Sequence, residues 1–165
     1  LRVMFESFAK LPPSPDNDRT LALMLDAVAG LKVEPGASVT ELLVLVRPWL
    51  DATSPVIVAK AAKALANVRD PELGARLRTK IVDTSFDLRT RQTFMHALAD
   101  VEGAAAVPVI VELGKTPLLT LDAIRIVLDL KSKEAIPFLR EISSKHYDGY
   151  TRSEAGAALR AIQKP

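Results

Sequence analysis

The chain is expected to be all-α, a right-handed α-solenoid of stacked antiparallel helix pairs. Three observations lead there. A small apolar block recurs along the sequence, each copy follows a helix-start signal, and each is trailed by a polar turn and a second amphipathic stretch. Two helices with tight turns in every thirty or so residues leave no room for a strand.

The block reads Ala64-Leu65-Ala66-Asn67-Val68, then Ala97-Leu98-Ala99-Asp100-Val101, Ile126-Val127-Leu128-Asp129-Leu130 and Ala158-Leu159-Arg160-Ala161-Ile162. Its second position falls at Leu65, Leu98, Val127 and Leu159, at spacings of 33, 29 and 32 residues. A looser copy, Ala27-Val28-Ala29-Gly30-Leu31, stands 37 residues before the first. A fixed period of this kind is the signature of units that bury a core only by stacking on their neighbours.

Taken in order, residues 1–15 hold a short helix through Val3, Met4, Phe5 and Phe8. The stiff run Leu11-Pro12-Pro13-Ser14-Pro15 follows as an extended connector. Residues 16–165 form the repeat domain, opening with an atypical pair over 16–53. There Asp16-Asn17-Asp18 starts a helix to Leu31, Glu34-Pro35-Gly36 turns the chain, and Ser38 with Glu41 reads as a capping box for a helix to Leu50. Trp49, the one tryptophan, reads as a plug between this pair and the regular ones, or else as an exposed interface anchor.

Three regular pairs occupy about 54–84, 85–115 and 116–145, and a final helix occupies 148–163. Their first helices start at Ser54-Pro55, Asp87, Thr116-Pro117 and Asp148, all cap residues, twice with proline at the first helical position. The turns are Arg69-Asp70, Glu102-Gly103 and Lys131-Ser132-Lys133. The second helices carry Leu77, Ile81 and Val82, then Val107, Ile110 and Val111, then Ile136, Leu139 and Ile142. Pro108 and Pro137 stand in the first turns of the latter two. The final helix has no second helix after it, and the chain opens on Leu1 rather than methionine. We therefore expect a processed protein or a segment of a larger one.

The pattern resembles the short HEAT-like repeats first named from phycobilisome lyases. Their first helix reads roughly D-x-x-V-R-x-x-A-x-x-A-L-x-x-I and is followed by a charged turn and A-I-P-x-L. Asp148 through Arg152 and Ala155, leading to Ala158-Leu159, carries the first-helix resemblance, as do Asp87, Arg91, Ala97 and Leu98. Ala135-Ile136-Pro137-Phe138-Leu139 carries the second. Residues 54–163 follow the pattern well and 16–53 loosely. Ankyrin repeats are represented only by a single Thr116-Pro117-Leu118-Leu119, the aromatic positions of tetratricopeptide repeats are not reproduced, and armadillo units are longer. The resemblance implies the solenoid fold and is nearly silent on function.

Composition narrows the function classes. The 165 residues are 48% apolar, 25% charged and 5% aromatic, which is ordinary globular composition, so the core must come from Leu, Ile, Val and Ala. With no cysteine, disulfides and thiolate metal sites are excluded. A net charge of +2 is thin for nucleic acid, which wants a sustained basic stripe. No uninterrupted apolar run approaches a membrane span; the longest obvious one, Leu42–Val46, is bounded by Glu41 and Arg47. The expectation is a soluble protein, with cytoplasm and periplasm both open and the oligomeric state undetermined.

No catalytic constellation emerges, so the chain reads as a non-enzyme without cofactor or metal. His96 lies mid-helix and reads as structural. The loop His146-Tyr147-Asp148-Gly149-Tyr150 presents aromatics that could anchor a partner, although Tyr150 stands where the repeat expects a packed apolar residue. Asp26 with Glu34, and Asp122 with Asp129, read as solvent faces. The resemblance implies a concave surface lined by the second helices, and there the outward column is Arg76, Val109 and Phe138. Beside it run Arg78, Glu112, Arg140 and Glu141. One exposed aromatic among arginines suits a protein or peptide partner. The function expected is therefore protein–protein interaction or scaffolding. A nucleic-acid-binding domain and an accessory subunit akin to a chromophore lyase are the alternatives.

Overall fold

The computed structural model describes residues 2–8, 10–11, 14–33 and 38–164. Every regular element among them is helical, with no strand. The chain divides into two compact units, residues 1–101 and 102–165.

The first unit opens with α1 (Arg2–Phe8), from which Phe5 is buried. Helix α2 (Pro15–Ala29) starts because Ser14, extended and just outside, accepts the Asn17 N–H at 3.2 Å, while Pro15 supplies the first residue. The start thus falls at Ser14-Pro15 rather than at Asp16. Leu21, Met24, Leu25 and Val28 form its buried stripe. The turn assigned to Glu34-Pro35-Gly36 lies outside the described residues, as do Pro12 and Pro13. Helix α3 (Thr40–Val46) begins without a side-chain cap, so the Ser38–Glu41 capping box does not form. It gives way at Arg47, next to Pro48, to a 3-10 turn over Arg47–Asp51.

Helix α4 (Pro55–Asn67) buries Ile57, Val58, Ala61, Ala62, Ala64, Leu65 and Ala66, an alanine-rich face that admits close approach of α2. Two polar ties hold α2 and α4 together. Lys60 grips the Asp26 carboxylate at 2.7 Å, and the Asn67 amide donates to the carbonyls of Val28 (3.1 Å) and Leu31 (2.9 Å). Asn67 thereby adds a side-chain donor to the Val28 carbonyl, which the Leu31 N–H also reaches at 3.2 Å, and to the Leu31 carbonyl just past the end of α2.

At Arg69 the backbone turns left-handed (φ 54°), and the Asp70 N–H returns to the Leu65 carbonyl at 3.0 Å, closing α4 in a Schellman-type end. Helix α5 (Leu73–Ile81) buries Leu73, Leu77 and Ile81, whereas Val82, expected in the same stripe, is 60% exposed just past its end. Helix α6 (Leu88–Glu102) buries Thr90, Phe94, Met95, Ala97, Leu98 and Ala99.

In the second unit, Gly103 takes φ +56° and opens a 3-10 turn (Gly103–Ala106) into α7 (Val107–Leu113), with Pro108 in the first turn. Helix α8 covers Thr120–Asp129, so Thr116-Pro117 does not start it. Those residues form a turn in which Leu119 N–H reaches the Thr116 carbonyl (2.9 Å), and the buried Thr120 hydroxyl donates to the Gly114 carbonyl (2.9 Å). Lys131 (φ 49°) and the Ser132 N–H, bonded to the Val127 carbonyl at 3.0 Å, repeat the closure seen at Arg69-Asp70. A 3-10 turn (Lys133–Ala135) leads into α9 (Ile136–Lys145), and α10 (Gly149–Gln163) packs on both α9 and α8.

Gly114, ending α7, is where three elements of this unit meet. A Cβ there would stand 2.6 Å from the Ala123 Cβ of α8 and 2.8 Å from Phe138 Cζ of α9. The helical run Leu88–Leu113 is long and apolar enough, by length and composition, to cross a membrane. It is interrupted by the positive φ at Gly103, and Phe94, Met95, Leu98 and Ile110 along it are buried.

Candidate interaction surface

The seven residues of the expected binding column are divided between the units. In the first, Arg76 and Arg78 are half-buried on α5. The Arg76 guanidinium reaches Asp51 at 3.8 Å and Glu72 at 3.9 Å, and Lys80 takes Asp51 at 2.9 Å while standing 5.9 Å over the Phe86 ring. Arg78 is likewise engaged. The cations of α5 are therefore largely committed to neighbouring groups of their own chain.

In the second unit Val109 is half-buried, and Glu112, Arg140 and Glu141 are exposed. Glu112 holds Lys115 at 2.5 Å and keeps its ammonium above the usual lysine range, while Glu141 stands 3.9 Å from Lys145. Phe138 corrects the sequence reading. It is only 6% exposed, its ring seated against Gly114. The buried pair on α9 is Phe138 with Leu139, whereas Ile136 and Ile142 are half-buried, so the inward stripe is rotated from the one expected. The hollow left by the missing side chain of Gly114 and the small one of Ala123 draws the ring inward. Phe138 is thus part of the core and is not an exposed anchor.

Sequence reasoning also passed over two groups of polar residues. Asp70, read only as part of a polar turn, is fully buried. Its carboxylate accepts Arg47 Nε at 2.9 Å and Nη2 at 2.5 Å, and the Glu72 N–H at 3.0 Å. This bidentate pair joins the end of the α3 segment to the α4–α5 turn and raises the Arg47 guanidinium above its ordinary range. The available sequence signal was an aspartate directly after the position that must turn left-handed.

The second group is a cassette that occurs twice, Asp-x-x-Thr-Arg, at 87–91 and 148–152. Asp87 accepts the Thr90 N–H (2.8 Å) and hydroxyl (3.0 Å), and Asp148 accepts those of Thr151 at 2.7 and 2.6 Å. Both carboxyls are held below the usual aspartate range, Asp87 chiefly by the Thr90 amide and Asp148 chiefly by the Thr151 hydroxyl. Each arginine reaches back over the end of the preceding helix. Arg91 donates to the Ile81 carbonyl (3.0 Å), and Arg152 to those of His146 (2.6 Å) and Tyr147 (3.1 Å). The sequence alignment placed the Asp and Arg of the cassette. It missed the threonines, which are buried and complete the cap.

The loop before α10 also departs from expectation, because Tyr150 is 57% exposed rather than packed. His96 is exposed and lines a shallow cleft with Lys63 and Arg89. Trp49 is half-buried on the wall of a cleft of about 360 Å³ shared with Phe8, Asp18, Leu21 and Ile57. Asp26, read as a solvent face, is the partner of Lys60. No group of three or more His, Asp or Glu side chains suited to a metal ion occurs among the described residues. Set against family models, curated proteins and solved structures, the chain finds no match in any of the three.

Proposed function

We propose that this protein is an interaction or scaffolding module, a right-handed α-solenoid of short HEAT-like helix pairs that binds another protein or a peptide. The observation that carries the reading is the duplicated cassette. The same Asp cap, buried Thr and backward-reaching Arg open α6 and α10. Left-handed residues at Arg69 and Lys131 close α4 and α8 alike, and Gly103 takes a positive φ directly after α6. Interchangeable parts of this kind are what a repeat protein uses to extend a surface rather than to assemble a reaction centre.

With Phe138 withdrawn into the core, the partner-facing set on α7 and α9 becomes Val109, Glu112, Arg140 and Glu141. The test is capture from the source organism on the immobilised protein, comparing wild type with an Arg140→Ala/Glu141→Ala variant. A specific protein retained by wild type and weakened in the variant supports the reading. Retention of nothing specific contradicts it.

A further inference from the structure

The cleft walled by Trp49 brings aromatic surface and an uncompensated charge together. Helices α2 and α4 both begin beside it, and their opening turns supply its floor, Leu21 and Ile57, at 4% and 1% exposed. Where α3 gives way at Arg47, next to Pro48, the 3-10 turn carries Trp49 onto one wall, and the end of α1 brings Phe8. Both rings are half-buried, so each keeps surface open to an occupant. At about 360 Å³ the cleft lies at the small end of the range of about 300–1,000 Å³ usual for small-molecule sites. It admits one small molecule or one inserted side chain.

Its charge has one sign. Among the described residues the charged side chains on its walls are Asp18 and Asp51, with no lysine or arginine. Asp51 already has two cations from α5, Lys80 at 2.9 Å and Arg76 at 3.8 Å. Asp18, half-buried in the first turn of α2, makes no ion pair among the described residues. A carboxylate there favours the helix start through the backbone dipole, but that partial charge does not neutralise it. The cleft thus joins an apolar floor, two aromatic rings and one uncompensated carboxylate. Such a site is complementary to a cation with apolar flanks. The carboxylate attracts the charge, and the negative faces of aromatic rings add to that attraction. An anion would be repelled by Asp18, and a neutral apolar molecule would draw nothing from it.

We propose that this cleft binds an organic ammonium ion with an apolar substituent. The ammonium lies toward Asp18, and the substituent lies on Trp49, Leu21 and Ile57. A free amine and the alkylammonium end of a side chain on another molecule present this same group. The proposal does not depend on the α7 and α9 residues assigned to a protein partner.

The sole tryptophan makes the test direct, since Trp49 fluorescence reports occupancy of its own cleft. The whole protein is titrated with benzyltrimethylammonium, with benzyl alcohol and with benzoate. The cation should give a saturable change at a concentration about tenfold or more below that of the alcohol, and benzoate should bind more weakly than either. Asp18→Asn should remove the advantage of the cation while leaving the affinity for the alcohol unchanged, which also shows that the cleft is intact. The comparison of cation with alcohol on the wild-type protein stands even where the variant does not fold. Two further probes, phenethylamine and a blocked Ala-Lys-Ala peptide, separate the sources. Tighter binding of the amine supports a free ligand, and tighter binding of the peptide supports a displayed side chain. No saturable change with the cation, equal or tighter binding of the alcohol or benzoate, or a folded Asp18→Asn variant that keeps the advantage of the cation overturns the proposal.

Discussion

Asp87 and Asp148 cap their helices more strongly when ionised, and that gives the protein an acid dependence. Both carboxyls are held down by the threonine amide and hydroxyl that they accept. Asp83, which accepts the Ser85 N–H at 2.8 Å, behaves alike. A carboxyl depressed in the folded state contributes fully above its unfolded value of about 3.9 and loses that contribution as pH falls through the lower folded value. The melting temperature should therefore hold steady near neutrality and drop below about pH 4. Asp87→Asn with Asp148→Asn, which keeps a capping oxygen but removes the titrating charge, should flatten that drop when melts are followed by circular dichroism across the acid range. At this scale the sequence was legible where one residue has one strong preference, as Asp does before a helix. It was illegible where a partner far along the chain decides, as Arg47 does for Asp70.

The elements were predicted well in number and order, and less well in phase and ends. Helix α8 starts at Thr120 because the Thr120 hydroxyl finds carbonyls at Gly114 and Thr116, a tertiary choice that a Thr-Pro signal does not reveal. Phe138 turned inward for a similar reason: the hollow that it fills is made by Gly114 and Ala123, on other helices. Two substitutions test that packing. Phe138→Ala should cost about 3–5 kcal/mol in a denaturant titration, as a core truncation does, where an exposed anchor would cost almost nothing. Gly114→Ala should cost about 1–3 kcal/mol by overpacking against Ala123 and the Phe138 ring, and shortening Ala123 to glycine in the same chain should recover part of the loss.

For the molecule as a whole, periodicity was the legible signal and the binding surface the illegible one. The apolar blocks pointed to the α class through their helical spacing, and Leu65, Leu98 and Val127 are buried while Leu159 is half-buried. A surface, by contrast, is defined by what is left over after packing, and that cannot be counted from a repeat. Tyr147 is left over, while Phe138 is not left over at all. The proposed solenoid requires that helix pairs behave as semi-independent units. It is tested most directly by stopping the chain after Glu102 and following its helical circular dichroism through a thermal melt. The stacked-pair account predicts that residues 1–102 retain their helicity and melt cooperatively at a lower temperature than the full chain. A shortened chain that is unfolded from the outset, beside a full-length protein that melts as one indivisible unit, would contradict it.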